Sequence, residues 1–131
     1  MKKIVVVGTG YVGLVTGAGI SDFGSTVCCV DIDKEKIESL NKGVIPIYEP
    51  GLKELVHRNV KSNRLSFSND IEEYIRSAEV IFIAVGTPEE ETGKADVSTA
   101  IKIAEIIGKN LNKYKVVCTK STVPVGTGRQ I

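Results

Sequence analysis

The sequence predicts an α/β domain built on a doubly wound parallel sheet, and three observations lead there. Two unbroken apolar runs, Ile4-Val5-Val6-Val7 and Val80-Ile81-Phe82-Ile83-Ala84-Val85, lack the alternation of a half-exposed strand and suit strands buried on both faces. Strand-like runs alternate with stretches of helical period from end to end, which implies parallel strands joined by right-handed crossovers. The first apolar run also leads directly into Gly8-Thr9-Gly10-Tyr11-Val12-Gly13, after which a helical pattern begins. In that setting Gly8 permits the tight turn, Gly10 lets a diphosphate approach the backbone, and Gly13 lets helix and strand lie close together.

The remaining elements follow in order. The first helix runs from about Tyr11 to Phe23, with Leu14, Val15, Ala18 and Phe23 as its apolar positions, Gly13 and Gly17 toward the sheet, and Gly24 as its end. Gly17 and Gly19 each cost about 1 kcal/mol of helix stability, so this helix must depend on packing. Val27-Cys28-Cys29-Val30 is the second strand and ends in Asp31, about twenty residues past the glycines, where a carboxylate can take both hydroxyls of an adenosine ribose. Asp33 caps a helix over Lys34 to Asn41 that faces inward through Ile37 and Leu40, and Lys36 lies one turn in, within reach of the same ribose. Val44 to Leu52 is a longer connection, and Pro50 suits the first position of a short helix through Leu52, Leu55 and Val56. Arg64 to Ser68 is a short strand, and Asn69 or Asp70 caps a helix through Ser77 with Ile71, Tyr74 and Ile75 inside.

The second apolar run stops at Gly86-Thr87-Pro88, because proline cannot donate to a strand ladder. Ligands bind beyond the carboxyl ends of parallel strands, so this turn is expected beside the glycine loop. Glu89-Glu90-Glu91 reads as a solvated tip. Asp96 or Ser98 caps a helix buried through Ala100, Ile103, Ala104 and Ile107, and Lys115 to Lys120 is the next strand, followed by Ser121-Thr122-Val123-Pro124. Gly128 to Ile131 looks like the start of a helix cut short, so the chain reads as a single Rossmann-like domain, residues 1–131, truncated at its C-terminus.

Composition narrows the partners. The chain has 131 residues and a net charge of +1 with interspersed signs, which argues against nucleic acid and acidic membranes. No apolar run approaches the roughly twenty residues of a bilayer span, and no signal pattern precedes the first strand, so a cytoplasmic location is expected. Cys28, Cys29 and Cys118 all fall in strands expected to be buried and read as small hydrophobes. Neighbouring strand residues face opposite ways, so Cys28 and Cys29 cannot easily share a metal, and no metal site is expected. The single histidine, His57, is expected at the surface.

Five stretches taken together, GTGYVGLVTG, VDIDKEKI, IPIYEPGL, VGTP and KSTVPVGT, resemble the NAD-binding domain of the UDP-glucose/GDP-mannose dehydrogenase family, in the family's order and over essentially the whole chain. The YEPGL wording favours UDP-glucose over GDP-mannose. The resemblance implies that NAD is the cofactor, that its diphosphate lies on Gly8, Thr9, Gly10, Tyr11, Val12 and Gly13, and that Asp31 and Lys36 engage the adenosine ribose. It further implies that Gly86, Thr87, Pro88, Ser121 and Thr122 stand on the nicotinamide side, with Thr122 as the catalytic position that helps place a water. The family oxidises a sugar C6 alcohol to a carboxylate, UDP-glucose to UDP-glucuronate, through a cysteine-linked intermediate, and its full-length members oligomerise. Its nucleophilic cysteine belongs to a Gly-Gly-x-Cys segment that this chain lacks, so the chain alone is expected to be inactive. Gly17 and Gly19 stand where the family usually has larger residues. A dinucleotide-sensing module without catalysis is the competing reading, and STVPVGT, which a sensor would not need, speaks against it.

Overall fold

In the computed structural model, residues 2–86 and 98–120 are described. They form β1 (Lys3–Val7), α1 (Tyr11–Asp22), β2 (Thr26–Val30), α2 (Lys34–Asn41), α3 (Leu52–Lys61), β3 (Leu65–Ser68), α4 (Ile71–Ser77), β4 (Val80–Ile83), α5 (Ser98–Lys109) and β5 (Val116–Thr119). All strand pairs are parallel, in the order β3-β2-β1-β4-β5. The most apolar strand, β1, therefore lies at the centre, in register with β2 from Ile4 opposite Val27 and with β4 from Ile4 opposite Val80.

Period-two geometry divides β1 between two cores. Ile4 and Val6 pack with Leu14, Ala18, Ile37, Leu52 and Val56, so α1, α2 and α3 cover one face. Val5 and Val7 pack with Ile71, Ile75, Ala100, Ile103 and Ile107, so α4 and α5 cover the other. This is the doubly wound arrangement expected from the sequence.

The caps follow local chemistry. Asp33 accepts hydrogen bonds from the N–H groups of Glu35 and Lys36, and Asp70 rather than Asn69 caps α4 by accepting from Glu73 N. Gly24 sits just beyond the end of α1, its N–H donating to Ser21 O. Asp96 lies outside the described residues, as do Glu89 to Glu91 and Gly128 to Ile131.

Several expectations need correction. Pro50 is not in the first turn of α3: Gly51, with φ 82, is the N-cap, so the chain bends after the proline and the helix starts at Leu52. That helix also continues to Lys61, because Asn59, fully buried, is satisfied by Asp22, Arg64 and the Leu55 carbonyl. Phe23 is 94% exposed, since α1 ends at Asp22 and the chain has already turned away from the core. Val15 also faces outward. β4 ends at Ile83, leaving Ala84 and Val85 beyond the ladder. Cys118 is only half-buried, because nothing among the described residues covers β5, one of the two edge strands, as α1 covers β2.

Gly17 explains how α1 lies so flat. A Cβ built there would stand 2.5 Å from Cys29 Sγ, so the bare backbone rests on β2. The helix is held by that contact, which offsets its low intrinsic propensity.

Candidate functional site

A cleft of about 440 Å³ opens at the carboxyl ends of β1, β2, β4 and β5. Gly8, Thr9, Gly10, Tyr11, Val12, Asp31, Lys36 and Gly86 all line it, so one surface gathers most of the expected site. Gly13 does not line it. It stands behind the loop, where a Cβ would collide with the Gly8 carbonyl, and its task is to let α1 close on the turn. Thr87, Pro88, Ser121 and Thr122 lie outside the described residues.

The loop is built from the backbone outward. Gly8 has φ 112, a conformation that L side chains rarely adopt, and a Cβ there would lie 2.6 Å from Ala84 O, so only glycine fits between β1 and the end of β4. The Gly8 N–H donates to Val30 O at 2.8 Å, which ties the turn to β2. Gly10 is different, because a Cβ there meets nothing within 4 Å. The space above that backbone is open, as the approach of a diphosphate requires.

Gly10 is also the N-cap of α1, and neither a side-chain cap nor an acidic residue stands in the first turn. First-turn N–H groups have no partners within a helix, and the macrodipole adds roughly half a positive charge there. The arrangement suits an anion.

Asp31 is held at the tip of β2 by four backbone and side-chain bonds. Its Oδ2 accepts from Thr9 N at 3.0 Å and from Thr9 Oγ1 at 2.7 Å, while Oδ1 accepts from Asp33 N at 3.0 Å. Its own N–H donates to Ser68 O at 3.2 Å. The carboxylate that was expected to take both ribose hydroxyls is thus largely occupied by its own chain. Lys36 is exposed at the cleft. Tyr11 reaches the connection before α3, its hydroxyl donating to Glu49 Oε2 at 3.1 Å, and the Glu49 carboxylate holds the phenol above its ordinary pKa.

Thiol chemistry is suppressed on β2. Burial pushes the Cys28 thiol up to about 11, and Cys29, fully enclosed, goes higher still. His57 is exposed, as expected, with Nε2 3.0 Å from Gly43 O.

Ile32, Ile71, Thr99, Ile103 and Lys120, which the sequence does not mark as site residues, line the cleft as well, together with the strand ends at Val7, Ala84 and Val85. Ile32 carried a weak signal, since an isoleucine set between Asp31 and the capping Asp33 belongs to no strand or helix face that could bury it, and it is 71% exposed. Lys120 carried one too, because it follows the carboxyl end of a parallel strand, where ligands bind.

Comparison with known proteins bears on what the cleft holds. Residues 2–131 match the family model described as the UDP-glucose/GDP-mannose dehydrogenase family, NAD binding domain. UDP-glucose 6-dehydrogenase TuaD of Bacillus subtilis (strain 168) is 56% identical over 131 residues, all of this chain and 28% of that protein. A UDP-glucose dehydrogenase structure from Pyrobaculum islandicum superposes with a TM-score of 0.93 at 37% identity, over 99% of this chain and 32% of that one. A GDP-mannose dehydrogenase structure from Pseudomonas aeruginosa gives 0.92 at 34%, over 98% of this chain and 30% of that one. The chain therefore spans about three-tenths of the length of these relatives.

Proposed function

Because the chain belongs to the UDP-glucose/GDP-mannose dehydrogenase family through its match to the NAD-binding domain, we propose that residues 1–131 are the cofactor domain of an enzyme that oxidises the C6 alcohol of UDP-glucose to the carboxylate of UDP-glucuronate. The observation that carries the reading is the fixed Asp31 carboxylate beside the uncapped N-terminus of α1, an acceptor for a ribose next to a cradle for a diphosphate. UDP-glucose rather than GDP-mannose is favoured by Tyr48-Glu49-Pro50-Gly51-Leu52. A cytoplasmic location is part of the same reading; no helix among the described residues is long and apolar enough to cross a membrane.

In this reading the backbone from Gly8 to Gly13 holds the diphosphate, and Asp31 and Lys36 hold the adenosine ribose. Ile32 and Ile71 offer apolar surface to the adenine. Gly86, Thr87, Pro88 and Ser121 stand near the nicotinamide, and Thr122 orients a water. When bound, NAD accepts the hydride removed from C6, and reaching the acid requires this twice. The covalent step is assigned to residues outside this chain. A thiol pushed up to about 11, as at Cys28, holds almost no thiolate at neutral pH, and the thiolate is the nucleophile.

Calorimetric titration of the chain with NAD tests the reading, alongside Gly10→Val. The variant is expected to fold like the parent, since a Cβ at Gly10 meets nothing, yet to lose about a hundredfold or more in NAD affinity because the side chain fills the diphosphate's place. Equal affinity in parent and variant would sink the assignment. Mixed with NAD and UDP-glucose, the chain is expected to form no NADH, and turnover that depends on Cys28, Cys29 or Cys118 would locate the catalytic site here after all.

A further inference from the structure

We infer that Thr9 is a positioning residue, which pins the Asp31 carboxylate so that a single acceptor site on Oδ1 remains for the ribose, and thereby enforces the preference for NAD over NADP. This rests on the reading of Asp31 as the ribose contact. The glycine fingerprint leaves the position between its first two glycines open to many residues. Here it is a threonine only 2% exposed, with its hydroxyl turned onto Asp31 rather than toward solvent.

The count of lone pairs gives the consequence. A carboxylate offers about four acceptor sites over its two oxygens. Thr9 N and Thr9 Oγ1 take both on Oδ2, and Asp33 N takes one on Oδ1. What remains is one site, on Oδ1, for one of the two ribose hydroxyls. The other hydroxyl needs a donor to its oxygen, and Lys36, a pure donor, lines the same cleft.

Pinning also bears on the choice of dinucleotide. A carboxylate free to swing could turn aside from a 2′-phosphate, whereas one held by two donors on the same oxygen keeps its charge in the phosphate's path. Like charges brought into contact repel strongly wherever water is partly excluded.

The test titrates the chain and its Thr9→Val, Thr9→Ser and Asp31→Asn variants with NAD and with NADP, with thermal unfolding measured in parallel. Thr9→Val keeps the shape and removes only the hydroxyl. It is expected to weaken NAD binding by about tenfold and to narrow the NAD-to-NADP ratio by a similar factor, because the carboxylate keeps only the Thr9 and Asp33 N–H donors and is no longer pinned by two donors on Oδ2. Thr9→Ser should restore both. With Asp31→Asn already present, Thr9→Val should leave the ratio unmoved. Equal weakening toward both dinucleotides would make Thr9 merely structural and overturn the inference, as would unchanged NAD binding. If Thr9→Val does not fold, Thr9→Ala makes the same deletion. A parent that binds neither dinucleotide, or an Asp31→Asn variant that binds NAD as the parent does, would instead remove the reading of Asp31 itself and this inference with it.

Discussion

Strands β2 and β5 carry nearly the same letters, TVCCV and VVCT, and meet opposite fates. In β2 every residue after Thr26 is buried, and Cys29 is wholly enclosed. In β5, Val116 and Val117 are 42% and 38% exposed, and Cys118 is half-buried. The difference is cover. β2 has a strand on each side and α1 resting on it through Gly17. β5 is one of the two edges of the described sheet and, unlike the other edge strand β3 with its buried Leu65 and Phe67, is left largely uncovered among the described residues. Apolar letters state what a strand can bury; topology decides what it does bury.

The thiols give the widest contrast. At pH 8 a thiol-specific reagent is expected to label the half-buried Cys118 first and Cys28 and Cys29 at least about a hundredfold more slowly, since Cys28, pushed up to about 11, holds about a hundredfold less thiolate than an ordinary thiol. Mass spectrometry of the labelled chain checks this, and equal labelling would erase the distinction between the strands. Next comes the contact that buries β2. Gly17→Val drives a side chain into Cys29 and is expected to cost about 3 kcal/mol in urea unfolding, with part of the loss recovered by adding Cys29→Ala.

A matched pair of truncations sharpens the same point. Val27→Ala, in fully buried β2, should cost about 2 kcal/mol, whereas Val117→Ala on β5 should cost under about 0.5 kcal/mol. Comparable losses would mean that β5 is covered in solution. The smallest effect belongs to Asp22, which ties α1 to α3 over β2 through Arg58 at 2.8 Å and Asn59 at 3.1 Å. These partners lower its pKa below the ordinary 3.8. A depressed native pKa adds stability above the unfolded value and loses it as pH falls through the native one. The urea midpoints of the parent and Asp22→Asn should therefore differ modestly at neutral pH and converge as pH drops below about 4. A gap that persists in acid would count against the ion pair.

Much of the fold was legible because its signals are local. The β-branched run of β1, the caps at Asp33 and Asp70, and the glycine turn each need only neighbouring residues. The cleft was legible in part for the same reason, since Gly8 to Val12 and Asp31 belong to one strand-turn-helix-strand unit. What escaped was long-range. Nothing near Asn59 in sequence announces that Asp22 and Arg64 will satisfy it, so the extent of α3 beyond Val56 is not legible locally. Nothing near Thr9 announces that its hydroxyl will cross to Asp31. Lys120 and Thr99 join the cleft only once the sheet order brings β5 and α5 round to it.

The placement of β1 between β2 and β4 also has a temporal side. A chain made from its N-terminus can pair β3-β2-β1 and cover one face with α1, α2 and α3 once Ser68 has emerged, while the other face waits for α4 and α5. At that moment the free edge is β1, the strand whose Val5, Val6 and Val7 are almost wholly enclosed in the finished domain. An uncovered apolar edge is a template for pairing with another chain. It stays uncovered until Asn69 to Ile83 have emerged in turn, on the order of a second at ordinary synthesis rates. Crowding of nascent chains on one message should therefore be most hazardous in that interval, and slow codons translated during it would prolong it.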